Sequence, residues 1–460
     1  MDRRSFLALL AVPAVAAATG ALQGCSSEGD VTSGSSTGPD PTPSKPSDAS
    51  GVARSAKQRA ATTLADAAVA AAVVNDFGID MYRVLSDPSR TRSATVDQSA
   101  PQQNLVFSPA SIAIALAMTR AGARGATAAE MDAMLHVGDA ASLPHSMNAL
   151  SAAFDSRTQQ VPMPGSDSVD VTLSVANSLW AQQGLAFETA FLDLLATEYG
   201  AGLQLVDYKA DPEGARKLIN AWVDDTTKQR IRELIPQGAI TPDARLTLVN
   251  AIYMKAPWLN VFAKNRTAPA AFTTLRGSPV QTPFMHLTED LNYSKGVGWQ
   301  AVELPYVGNQ LSMVLVLPVN PVALDFAVAA VPNIAATTTT RKVTLSMPKF
   351  DIETMAELST LLSAMGMPSA FTDSADFSGM TSEEKLVVGA VIHQANITVD
   401  EAGTEAAAAT AVVMRATSAP MPSEPVVLTL DRPFVFAIRD NPTGAVLFLG
   451  HIGDPTETRS

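Results

Sequence analysis

Val399-Asp400-Glu401-Ala402-Gly403-Thr404-Glu405-Ala406-Ala407-Ala408-Ala409-Thr410 is the segment on which the reading of this chain turns. By composition alone the four alanines read as a short helix, since alanine is the best helix former and a poor strand former. No proline occurs between Gly403 and Ala419. Downstream, Pro420, Pro422 and Pro425 break the run before Arg432. Residues 434–438 and 446–452 are apolar and flank Asp440-Asn441-Pro442-Thr443-Gly444, which predicts a hairpin with a turn.

Upstream, helical and strand patterns alternate. Val74, Phe77, Met81 and Leu85 fall at helical spacing. Ser108-Pro109 has the form of an N-cap followed by proline in the first turn, ahead of the apolar residues 112–118, and Gly122 is placed to end that helix. Thr127-Ala128-Ala129-Glu130 has capping-box spacing. Val171, Leu173 and Val175, and again Val343, Leu345 and Met347, alternate as strands do, and residues 311–317 form a mostly apolar run suited to a buried strand. These patterns give an α+β class, with no internal repeat.

The first residues read as an address. Arg3-Arg4-Ser5-Phe6-Leu7 precedes an apolar run to Leu22, as in an export signal of twin-arginine type over residues 1–24. Leu22-Gln23-Gly24-Cys25 resembles a bacterial lipobox, which implies cleavage before Cys25 and acylation of its thiol. Residues 25–70 are mostly Ser, Thr, Pro, Gly, Ala and Asp, too poor in apolar surface to offset ordering, and read as a lipidated flexible tether. The expected location is the bacterial cell envelope, or outside the cell. The net charge of −13 argues against a nucleic-acid partner and against charge-driven membrane binding. A single cysteine excludes an internal disulfide, and the five histidines show no metal-ligand spacing. No metal or cofactor is expected. With no Gly-x-Ser-x-Gly elbow, His-Glu-x-x-His or phosphate loop, the chain is not expected to be an enzyme.

Several separated segments resemble the serpin family in order and spacing. They are residues 104–112 (Asn-Leu-Val-Phe-Ser-Pro-Ala-Ser-Ile), Asn220-Ala221-Trp222-Val223, residues 250–258 from Asn250 to Trp258, Pro348-Lys349-Phe350, Asp431-Arg432-Pro433-Phe434, and the 399–410 segment itself. The resemblance implies one serpin-like α+β domain over residues 71–455, with helices packed on large mixed sheets and an exposed reactive loop over residues 401–425.

The same resemblance implies that Glu401, Gly403, Thr404, Glu405, Ala406, Ala407, Ala408, Ala409 and Thr410 form a hinge. After a protease cuts the loop, this hinge would enter the main sheet as a new strand. Alternation then puts Thr404, Ala406, Ala408 and Thr410 beneath the sheet, where side chains must be small and uncharged, and Glu405 on the other face. Gly403 gives the backbone freedom to turn in. In the family register, counting from Glu401 implies a reactive bond at Thr417-Ser418, with Ala416 one residue earlier and Arg415 as a rival site. Ser108, Ser111, Asn250 and His393 resemble the polar cluster where the sheet opens. The implied function is that of a monomeric suicide inhibitor trapping a serine protease covalently, without polyanion activation. The alternatives are a non-inhibitory serpin and a surface hydrolase.

Overall fold

The computed structural model describes residues 51–87, 104–163, 166–405 and 424–458. Two sheets carry the architecture. The main sheet has eight strands among the described residues. Its order is β1 (Val52–Ala53), β5 (Leu203–Val206), β4 (Ser166–Gln182), β6 (Leu246–Pro257), β14 (Gly403–Thr404), β13 (Val388–Val399) and β12 (Phe350–Glu357), with β3 (Gln159–Met163) paired to β4. The second sheet has nine strands. They run in the order β15 (Val426–Thr429), β11 (Thr339–Pro348), β8 (Pro279–Gly296), β9 (Trp299–Pro305), β10 (Leu311–Pro318), β16 (Phe434–Asp440), β17 (Val446–Ile452) and β2 (Asn104–Phe107), with β7 (Ala268–Thr273) on β8. The helices are α1 (Ala68–Leu85), α2 (Pro109–Gly122), α3 (Gly125–Met134), α4 (Leu143–Asp155), α5 (Thr189–Tyr199), α6 (Pro212–Thr226), α7 (Leu324–Thr337) and α8 (Ser359–Met365).

Both faces of the main sheet are covered, because β6 is apolar on both. Leu248, Ile252, Met254 and Ala256 face the larger core, which includes α1 and α2. Val249 and Ala251 face a second, smaller core closed by Ala215, Ile219 and Val223 of α6 and by Ile231, Leu234 and Ile235 of the segment after it. The amide of Asn220 clamps that segment to α6, donating to Ile235 O (2.9 Å) and accepting from Ile235 N (2.8 Å). A strand buried on both faces is mostly apolar, as β6 and β13 are apart from buried polar residues such as Asn250 and His393.

Most of the expected elements are present. Val74, Phe77, Met81 and Leu85 are all buried on α1. Ser108 caps α2, its side chain accepting from Ser111 N, and α2 ends at Gly122. The C-terminal hairpin is β16–β17.

Two expectations are corrected. Thr127 and Glu130 do not form a capping box, because α3 begins at Gly125 and both side chains are used by another part of the chain. Thr127 Oγ1 accepts from Asp376 N, and Glu130 accepts from the Ser369 amide and hydroxyl. Residues 51–70 are not tether: β1 pairs with β5, and α1 already starts at Ala68. Backbone pairing and polar side chains hold this stretch, neither of which a count of apolar residues detects. The export signal and Cys25 lie outside the described residues.

Candidate functional site

The centre of the main sheet is zipped at one end and wedged at the other. β6 and β13 run parallel and pair directly from Leu246↔Val388 to Ala251↔Gln394. Beyond that seam the two strands no longer pair with each other among the described residues. Instead β14 lies between them, antiparallel to both, with Gly403 and Thr404 opposite Pro257 and Ala256 on one side and Thr404 opposite Val399 on the other. A side-chain carbon on Gly403 would lie 2.3 Å from Ala256 O and 2.7 Å from Pro257 Cα. Glycine is required here by close backbone approach, a stronger reason than freedom to turn.

Thr404 and Glu405 meet different partners. Thr404 is buried and its hydroxyl meets Tyr306 Oη at 2.7 Å. Glu405 pairs with Arg230, in the segment after α6, at 3.2 Å. Its backbone is left-handed (φ 49°), so the extended conformation of β14 ends at Thr404. The left-handed conformation costs a non-glycine residue about 1 kcal/mol or more.

The wedge is fixed by long-range contacts. Trp258, stacked on Tyr306 with centroids 4.5 Å apart, donates Nε1–H to Asp400 O at 2.9 Å. The amides of Trp258 and Phe262 donate to the carbonyls of Ala402 and Glu401. The Glu401 carboxylate accepts from Lys349 Nζ and Thr267 Oγ1, each at 2.8 Å. Burial raises its pKa, but these two hydrogen bonds outweigh that and hold it below the usual carboxylate value.

At the seam, Ser108, Ser111, Asn250 and His393 lie together. Ser108 N–H donates to His393 Nε2 at 3.1 Å, so the imidazole proton sits on Nδ1, which donates to Asn250 Oδ1. Asn177, which carries no sequence signal of its own, presents its amide nitrogen to Ser111 Oγ (3.1 Å) and Ser111 O (3.0 Å). Polar groups of four elements (α2, β4, β6 and β13) thus meet at the seam. Burial lowers the His393 pKa to about 3 from an ordinary 6.5.

The pH consequence has a definite sign. As pH falls below 6.5 the unfolded chain takes up this proton first, so stability present above 6.5 is lost progressively down to about pH 3. The slope is about 1.4 kcal/mol per pH unit. Between pH 7 and 5 the folded state should lose on the order of 2 kcal/mol from His393 alone. Melting temperature measured across that range should fall for the natural protein and fall less steeply for His393→Gln; equal slopes would contradict this account.

Tyr306, Thr267 and Arg230 likewise carry no local sequence signal. Each of these residues, and Asn177, acts on a partner between 66 and 175 residues away (Arg230–Glu405 being 175 apart). Residues 406–410 and the bond candidates Arg415, Ala416, Thr417 and Ser418 lie outside the described residues. Among the described residues no group of three or more His, Cys, Asp or Glu side chains is arranged to hold a metal.

Comparison with known proteins agrees with this geometry. A family model described as "Serpin (serine protease inhibitor)" matches residues 72–455. An uncharacterized serpin-like protein of Thermococcus kodakarensis is 33% identical over 84% of this chain and 85% of its own length. Leukocyte elastase inhibitor A of Rattus norvegicus is 34% identical over 78% of this chain and 96% of its own. Thyroxine-binding globulin in complex with thyroxine superposes with a TM-score of 0.70 at 25% identity, over 84% of this chain and all of that one.

Proposed function

The chain belongs to the serpin family, and on that premise we propose that it is an irreversible suicide inhibitor of serine proteases. The observation that carries this reading is the wedge. Gly403 and Thr404 already occupy the slot between β6 and β13, and the paired seam lies directly ahead of them. A strand started in this slot has one continuous path into the sheet.

In this reading the protease serine attacks the Thr417 carbonyl carbon. The Thr417–Ser418 peptide bond breaks, the new amine on Ser418 takes a proton from the protease histidine, and Thr417 is left as an ester on the enzyme. The freed loop then inserts, with Thr404, Ala406, Ala408 and Thr410 beneath the sheet. About 15 residues of strand span roughly 50 Å, so the tethered protease travels a molecular diameter. Displacing its catalytic groups by about 1 Å costs about 100-fold in rate, which leaves the ester unhydrolysed. Ser108, Ser111, Asn250 and His393 would act as the gate, because each must exchange partners as the seam opens. The small side chains Ala416 and Thr417 suit a shallow primary pocket, and similarity to a leukocyte elastase inhibitor supports an elastase-like target. A trypsin-like protease cutting after Arg415 would shorten the inserted strand by two residues.

Incubation with elastase, subtilisin and trypsin is expected to give a band stable to SDS at the summed mass of protease and inhibitor less that of residues 418–460. The fragment released on denaturation should begin at Ser418. β15, β16 and β17 fall within that fragment and stay packed in the second sheet until denaturation. Cleavage by all three proteases with no adduct would overturn the inhibitory reading. It would favour the second one, a non-inhibitory serpin serving as substrate or carrier, for which the likeness to thyroxine-binding globulin speaks.

The proposed location is the cell envelope, through acylated Cys25. Cys25→Ser should move the protein from the membrane fraction to the soluble one; an unchanged distribution would rule out the anchor.

A further inference from the structure

Residues 51–67 form a strap across the outer edge of the main sheet, and its bonds tie that edge to the helical layer. At the sheet, β1 pairs with β5 through Val52↔Gln204 and Ala53↔Leu203, and Leu205 N donates to Gly51 O at 2.7 Å. The next residues hold α5. Ser55 Oγ donates to Asp193 Oδ1 at 2.5 Å, Lys57 Nζ lies 2.8 Å from Asp193 Oδ2, and Ala60 N donates to Thr197 O at 2.7 Å. Arg59 then reaches α4, donating to Asn148 Oδ1 (2.6 Å), Asn148 O (3.1 Å) and Asp155 Oδ2 (2.9 Å). Asn148, fully buried, returns a bond to Ala60 O at 3.0 Å. The strap ends on α4, where Ser146 Oγ donates to Asp66 O and accepts from Ala70 N.

The placement matters because of what insertion requires. For a strand to enter between β6 and β13, one half of the sheet must move relative to the other. β5 and β4 continue the sheet outward from β6, so they belong to the half on the strap's side. α4 belongs to the helical layer and shares the larger core with α1 and α2. Any slide of β5 over α4 must break the Arg59 bonds or peel β1 from β5.

We propose that residues 51–67 are a brake on sheet opening, which sets how long the uncut protein stays in its uninserted state. This rests on the insertion reading above, and the test separates the two. In the full chain, Arg59→Ala removes three of the bonds that tie the strap to α4. Separately, Val52→Cys with Gln204→Cys, in a chain also carrying Cys25→Ser, places two thiols on directly opposed residues. Such Cα atoms lie about 4.5–5.5 Å apart, within disulfide range.

Uncut protein is held some degrees below its melting temperature. Conversion is followed as the fraction that becomes resistant to loop cleavage while keeping its full length. Arg59→Ala should convert about tenfold faster than the natural chain, equivalent to about 1.4 kcal/mol of barrier. The oxidised cysteine pair should convert about tenfold slower and return to the natural rate on reduction. Arg83→Ala, which removes an exposed pair with Asp80 on α1, should leave the rate unchanged and so controls for general destabilisation. If both strap variants convert at the natural rate while the loop-cut protein still melts higher than the uncut one, the brake is wrong and insertion stands. If the loop-cut protein melts no higher, insertion fails and the brake falls with it.

Discussion

Cutting the loop of the natural protein should raise its melting temperature by about 20 °C. Residues 406–417 would add about a dozen strand positions at the centre of the main sheet. One net ladder bond per residue at about 1 kcal/mol gives on the order of 10 kcal/mol. At roughly 2 °C per kcal/mol for a chain of this size, that gain corresponds to the stated shift. The seam supports the direction. The pairings between β6 and β13 are not lost on insertion but replaced by two ladders, one on each side of the new strand. The left-handed Glu405 backbone would also become extended, releasing its local cost. Scanning calorimetry of intact and loop-cut protein decides this, and equal melting temperatures would mean that the uncut fold stores nothing.

Thr404→Arg should turn the inhibitor into a substrate. Thr404 is 2% exposed, sits opposite Ala256 and gives its hydroxyl to Tyr306. A guanidinium there would be buried beside Tyr306, at a cost of several kcal/mol. Each 1.4 kcal/mol added to the insertion barrier slows insertion about tenfold relative to ester hydrolysis, so hydrolysis should win. The number of inhibitor molecules consumed per protease inactivated should rise at least tenfold, with little SDS-stable adduct. Thr404→Ser keeps the hydroxyl and should behave as the natural protein. Unchanged adduct formation by Thr404→Arg would contradict burial of this face.

Legibility from sequence divides by the range of the forces involved. The Ser108 cap, the end of α2 at Gly122 and the β16–β17 hairpin are local, and short spacing rules find them. Strand alternation places Thr404 on the buried side, but the left-handed Glu405 lies beyond β14 and its pairing with Arg230 is not a matter of alternation. The failures come from distant partners. Thr127 and Glu130 have capping-box spacing, yet Asp376 and Ser369 claim both side chains. Residues 51–67 have a tether's composition, yet edge pairing and Arg59 order them. At the site, Ser108, Ser111, Asn250 and His393 are legible only through family resemblance. Tyr306, Thr267 and Arg230 need the folded chain to bring them to the hinge.

The second core, between α6 and the main sheet, has a consequence for timing. On the inhibitory reading, an incoming strand would pass beneath a ceiling formed by α6 and the segment after it, which the Asn220–Ile235 clamp joins. Lys228 and Gln229, at the front of that ceiling, both adopt left-handed backbone (φ 54° and 64°). Side chains on the ceiling side would therefore meet a packed apolar layer, as those on the floor would. Alanine at 407, 409 and 411 suits passage as much as alanine at 406 and 408. On that reading, whether a captured enzyme escapes would be a contest between two clocks, water reaching the ester and the ceiling lifting to let the strand through.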